Sequence, residues 1–137
     1  MLRKLAILLM ALLVMLVLAS EVALAADFIG TSGDDTLVGT NGDDYLKGRA
    51  GDDILDARDG DDTIEGGRDD DKIYPGEGAD EVYAGAGDDL IYARDTDSFD
   101  YIDCGGGFDQ VETIHRDDVT LSNCERALGP RRGDIPE

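Results

Sequence analysis

The chain has 137 residues, room for one domain, with 32 acidic residues against 12 basic ones and a formal charge of −20. Eighteen glycines, no Trp and few aromatics leave little for a self-sufficient core, so the chain compacts only if something neutralises the acid. The same charge excludes nucleic acid as a partner, because phosphates would be repelled.

In chain order the first feature is a basic pair, Arg3 and Lys4, then an apolar stretch from Leu5 to about Ala19, then Ala23-Leu24-Ala25. This order predicts a secretory signal peptide over residues 1–25, cleaved at Ala25 or Ala26. The apolar run is close to membrane-spanning length. No stop-transfer pattern follows it, so no stable membrane insertion is expected after signal removal. A lipid anchor would need a Cys at the cleavage site, and there is none. Cleavage leaves 10 basic and 31 acidic residues, a net charge of −21. The expected location is secreted and extracellular, where calcium is usually plentiful.

From Gly30 the sequence repeats with a period of nine: GTSGDDTLV, GTNGDDYLK, GRAGDDILD, ARDGDDTIE, GGRDDDKIY, PGEGADEVY and AGAGDDLIY run without a gap to Tyr92. An eleven-residue unit, ARDTDSFDYID, follows, and CGGGFDQVE closes the array at Glu112. Position eight is always aliphatic: Leu37, Leu46, Leu55, Ile64, Ile73, Val82, Ile91, Ile102 and Val111. Position six is always acid: Asp35, Asp44, Asp53, Asp62, Asp71, Asp80, Asp89, Asp100 and Asp109. Position four is Gly except at Asp69 and Thr96.

Positions seven to nine therefore predict a three-residue strand whose middle side chain points into a thin core. Positions one to six, rich in glycine and acid, predict a turn. Glycine at position four calls for a left-handed backbone or close chain approach, and Asp69 is tolerable there. Helix is excluded by the spacing and the glycine content. The expected architecture is an all-β parallel solenoid over residues 26–112. Two units make one coil, and unit n stacks on unit n+2 about 4.8 Å away.

Stacking of this kind sets position-six carboxylates about one strand spacing apart. Each such pair repels by roughly 3 kcal/mol at an effective dielectric near 20. Several pairs exceed the net stability of a small domain. A cation between stacked pairs reverses the sign. Carboxylate and carbonyl oxygens suit calcium; zinc would want His or Cys, of which the chain has one and two, and magnesium keeps its waters.

The unit resembles the G-G-x-G-x-D-x-U-x nonapeptide of the repeats-in-toxin, or haemolysin-type calcium-binding, family over residues 30–112. The resemblance implies a right-handed parallel β-roll with several Ca2+ ions between successive coils. It implies side-chain ligands at Asp35, Asp44, Asp53, Asp62, Asp71, Asp80, Asp89 and Asp109. It also implies backbone carbonyl ligands in the turns, at Gly33, Gly42, Gly51, Gly60, Gly78 and Gly87. The pattern departs from the family's at positions one and two, where the glycine pair is complete only at Gly66-Gly67. The insertion around Thr96 to Phe99 is expected to spoil a site at Asp100. Asp at position five (Asp34, Asp43, Asp52, Asp61, Asp70 and Asp88) is expected to be solvated.

Cys104 and Cys124 are the only cysteines, and in an exported chain pairing is the default. Their separation is near the length of one coil, which predicts a disulfide stapling the last turn. Residues 113–126 leave the period, and Val119 and Leu121 alternate like a final strand, so this segment reads as a cap. Lone His115 reads as a surface residue, and residues 127–137 as a flexible tail. No Ser or Cys nucleophile stands near a base, so no enzyme activity is expected. The function predicted is a secreted calcium-ion-binding β-roll folded by its ions. The alternatives are a surface-interaction or adhesion protein using the outward stripe Ile54, Tyr74, Leu90 and Tyr92, and an ice-binding solenoid using Thr31-Ser32 and Thr40-Asn41.

Overall fold

A computed structural model of the chain describes residues 24–93, 98–113 and 119–128. Most of the signal segment, His115, the insertion at 94–97 and the tail from 129 lie outside the described residues. Every strand is short, because only three to seven residues per unit are free of turn geometry. In order they are β1 (Asp27–Ile29), β2 (Thr36–Val38), β3 (Tyr45–Ala50), β4 (Ile54–Asp56), β5 (Thr63–Arg68) and β6 (Lys72–Tyr74). Then come β7 (Glu81–Ala86), β8 (Leu90–Ala93), β9 (Asp100–Gly106), β10 (Gln110–Thr113), β11 (Val119–Ser122) and β12 (Arg126–Leu128).

The odd-numbered strands form one six-stranded parallel sheet, β1-β3-β5-β7-β9-β11, and the even-numbered strands form the other, β12-β10-β8-β6-β4-β2. Successive elements alternate between sheets, so the chain winds as the expected solenoid, through about five turns. The register is one coil of two units: Leu46 pairs with Ile64, Ile64 with Val82, Leu37 with Leu55 and Leu55 with Ile73. The insertion is absorbed without breaking the column, since Val82 pairs with Ile102 and Ile91 with Val111.

Position eight fills the core as expected. Leu46, Leu55, Ile64, Ile73, Val82, Ile91, Ile102 and Val111 are fully buried. Two features go beyond the nine-residue reading. In one sheet β3, β5 and β7 run on past position nine into positions one to three of the next unit. Position one is also core: Ala57, Ala84, Ala93 and Cys104 are buried with the aliphatic column. Strand alternation explains this, because positions six, eight and one are separated by two residues and so share a face.

The column extends beyond the array at both ends. Phe28 of β1 pairs with Leu46, and Leu121 of β11 with Ile102, as the expected cap strand requires. Ala127 and Leu128, expected in the tail, instead belong to β12, which pairs with β10. The Cys104–Cys124 disulfide joins these last coils, with Cα atoms 5.2 Å apart.

Candidate metal centre

Solenoid stacking puts the turns of units one, three, five, seven and nine along one edge and those of the even units along the other. In each turn the position-six aspartate faces inward, two residues before the core residue. Asp44, Asp53, Asp62, Asp71, Asp80, Asp89, Asp100 and Asp109 are all at most 4% exposed, while Asp35 is half-buried. Asp100 thus keeps its place in the row despite the insertion beside it.

The stacked carboxylates do not meet oxygen to oxygen. One oxygen of each accepts the backbone N–H of the position-six residue a coil earlier. Asp35 N–H donates to Asp53 Oδ1 at 2.8 Å, Asp53 N–H to Asp71 Oδ1 at 2.9 Å, and Asp71 N–H to Asp89 Oδ1 at 2.8 Å. The other edge repeats this from Asp44 to Asp62 (2.6 Å), Asp62 to Asp80 (2.9 Å) and Asp80 to Asp100 (3.1 Å). The last step is missed by the repeat pattern: Asp109 N–H donates to Glu125 Oε2 at 3.0 Å. The signal was Glu125 standing immediately before β12, as Asp109 stands before β10.

The second oxygen is different. Oδ2 of Asp53, Asp62, Asp71, Asp89 and Asp109 is buried without a hydrogen-bond donor among the described residues. A buried carboxylate oxygen left bare is costly, and its site selects for a cation. The neighbours of that oxygen are carbonyls. A Cβ on Gly48 would run into Asp53 Oδ2 and lie 2.6 Å from the Gly66 carbonyl oxygen. One on Gly66 would lie 2.5 Å from Asp71 Oδ2 and meet the Ala84 carbonyl. Each open glycine thus lies under a cradle lined by a carboxylate oxygen and a position-one carbonyl of the next coil. Hard oxygens of these two kinds are what calcium takes. No three His, Cys, Asp or Glu side chains converge among the described residues, so the donor set is rich in backbone.

Burial raises the carboxyls accordingly. Asp71 is pushed up to about 7, and Asp62 and Asp89 to about 6, by burial foremost. Asp53 and Asp109 rise for the same reason. In every case the accepted N–H pulls the other way and neighbouring carboxylates add to the rise. Asp35 moves down instead, held first by the Thr31 N–H and then by its hydroxyl.

From the third unit on, the position-four glycines have a packing reason, whereas a Cβ on Gly33 would meet nothing within 4 Å. A Cβ on Gly60 would lie 2.8 Å from the Gly42 carbonyl oxygen, and one on Gly78 or Gly107 would run into that of Gly60 or Gly87. A Cβ at Gly30, Gly39, Gly48 or Gly66 would meet both Oδ2 of the unit's own position-six aspartate and a position-one carbonyl of the next coil, that of Gly48, Ala57, Gly66 or Ala84. Position five is exposed as expected, but it also forms a ladder. Asp34 Oδ1 accepts Asp52 N–H (3.1 Å), Asp52 accepts Asp70 N–H (3.1 Å) and Asp70 accepts Asp88 N–H (2.8 Å). No helix among the described residues is long and apolar enough to cross a membrane.

The family model of the RTX calcium-binding nonapeptide repeat matches the chain in four overlapping copies, at residues 29–64, 56–91, 65–99 and 74–111. No curated protein and no solved structure matches the chain.

Proposed function

Because the chain belongs to the RTX calcium-binding nonapeptide-repeat family, we propose that it is an exported, non-enzymatic protein whose roll is completed and folded by Ca2+ ions held between its turns. The observation that carries this is the row of buried, donorless Oδ2 atoms on Asp53, Asp62, Asp71, Asp89 and Asp109. Asp80 continues the row in sequence and burial. These side chains, with position-one carbonyls such as those of Gly66 and Ala84, would hold the ions. A bound ion supplies the positive charge that the buried carboxylates lack.

Export fits the same physics. At low calcium inside a cell the carboxylates oppose folding, and the chain stays loose. At high calcium outside, binding to the folded state alone stabilises it by mass action. The test is far-UV circular dichroism of the purified protein titrated with calcium, with magnesium as control. A cooperative gain of β signal with calcium alone is expected. At pH 7.5, where the buried carboxyls are ionised, a chain fully folded in chelator, or one that stays disordered at saturating calcium, would overturn the proposal.

Interaction with a surface is a second reading, favoured by one sheet's outer face. Ile54 is 41% exposed there, near Tyr74 and Tyr92, whose rings stack at 4.8 Å. Thr31 and Thr40, the residues of the ice-binding reading, turn their hydroxyl protons to Asp35 and Asp44.

A further inference from the structure

The first two turns are built differently from the later ones, and position two makes the difference. There Arg49 and Arg58 have φ of 91° and 85°, and Gly67, Gly76, Gly85 and Gly105 have φ of 132°, 111°, 119° and 87°. Thr31 and Thr40 hold the same position in units one and two, and neither adopts positive φ. Nor do Gly33 and Gly42 at position four, although Gly51, Gly60, Asp69, Gly78, Gly87 and Gly107 all do. A β-branched side chain resists the left-handed region, so Thr at position two keeps these turns in the ordinary one.

The consequence falls on the aspartate. Thr31 N–H donates to Asp35 Oδ2 at 2.6 Å and its hydroxyl to the same oxygen at 2.9 Å. Thr40 N–H donates to Asp44 Oδ2 at 2.5 Å and its hydroxyl to that oxygen at 3.0 Å. In the left-handed turns of units three, four, five, seven and nine nothing among the described residues donates to the corresponding Oδ2, on Asp53, Asp62, Asp71, Asp89 and Asp109. The oxygen that faces the cradle is therefore saturated in the first two turns and bare in these five. A cation at Asp35 or Asp44 would have to displace two short hydrogen bonds before gaining one ligand.

Building on the calcium reading above, we infer that the ion ladder begins at the third unit, with Thr31 and Thr40 closing the first two turns by their own donors. Asp35 and Asp44 hold hydrogen bonds where Asp53 and Asp71 hold calcium. The first two turns are a metal-free cap, as the disulfide is a covalent one at the other end.

Calcium stoichiometry of the purified protein, read by native mass spectrometry and by calorimetric titration, tests this. Asp35→Asn combined with Asp44→Asn should bind as many ions as the wild type, while Asp53→Asn and Asp71→Asn should each lose about one. Thr31→Gly combined with Thr40→Gly should bare both oxygens, free the turns to become left-handed, and add up to about two ions. The inference is overturned if the Asp35→Asn, Asp44→Asn protein binds fewer ions than the wild type. It is equally overturned if the double glycine variant keeps the wild-type count. A wild type that takes up no calcium at all would overturn the calcium reading itself and this inference with it, and only that result does both.

Discussion

Removing calcium should make the roll less stable as the pH rises. Asp62, Asp71 and Asp89 titrate in the folded protein at about 6, 7 and 6, against 3.8 for the free side chain. Their folded-state values are raised, so below pH 3.8 they cost nothing, and between there and pH 7 the folded state holds protons that the unfolded state has lost. At about 1.4 kcal/mol for each unit, a single such shift already comes to a few kcal/mol, a sizeable part of the stability of a typical domain. The assay is far-UV circular dichroism of calcium-stripped protein from pH 4 to pH 8. The β signal should be strongest at the acid end and fall between about pH 5 and 7.5. Saturating calcium should abolish the fall over the upper part of that range, because a cation then replaces the proton. Repulsion among the exposed carboxylates acts in the same direction, so one variant separates the two. Asp71→Asn keeps an acceptor for the Asp53 N–H and sets an amide beside the Ala84 carbonyl. It should stabilise the calcium-free roll at pH 7.5 by about 2–4 kcal/mol while lowering calcium uptake. A calcium-free protein whose β signal holds constant or grows with pH would refute the reasoning. So would an Asp71→Asn protein no more stable than wild type without calcium.

Three further outcomes follow from packing. Ile73 is fully buried in mid-column, so Ile73→Ala should cost about 2–5 kcal/mol in calcium-saturated denaturant unfolding. Gly76 has φ of 111° and its absent Cβ would collide with the Arg58 carbonyl; Gly76→Ala should lower the calcium-loaded melting temperature by more than an exposed change such as Ile54→Thr. The disulfide closes a loop of sequence separation 20, so Cys104→Ser should destabilise the loaded roll by about 3 kcal/mol. Reduction with dithiothreitol should reproduce that loss in the wild type and leave the variant unchanged.

Most of the architecture was legible because a nine-residue period leaves few choices. An aliphatic residue at every position eight and acid at every position six already dictate coils of two units and the face each side chain takes. The ends were less legible, because they satisfy the same geometry with other residues. Phe28 takes the place of a position-eight aliphatic, and Glu125 does for Asp109 what an aspartate does elsewhere. Position one was read as turn, since Gly, Ala, Pro and Cys share no obvious pattern until strand alternation is carried past position nine. The signal separating Asp35 and Asp44 from Asp53 was present in Thr31 and Thr40. It required asking what φ a β-branched residue permits, and where the N–H then points.

Burial at position one also explains why the roll has not replaced its carboxylates with a thicker core. Positions six, eight and one share the inward face, so they draw on the same volume. A Cβ on Gly48 already meets Asp53 Oδ2, and one on Gly39 would lie 2.7 Å from Asp44 Oδ2. Enlarging position one beyond the Ala or Cys seen at Ala57, Ala84 and Cys104 would fill the space into which the carboxylate oxygen points. Each coil is therefore confined to two aliphatic side chains and small neighbours, a thin apolar column set beside a chain charge near −20. On the proposed reading the missing stability comes from a small hard cation, which the crowded face can still admit, and the fold would then be conditional on calcium rather than merely decorated by it.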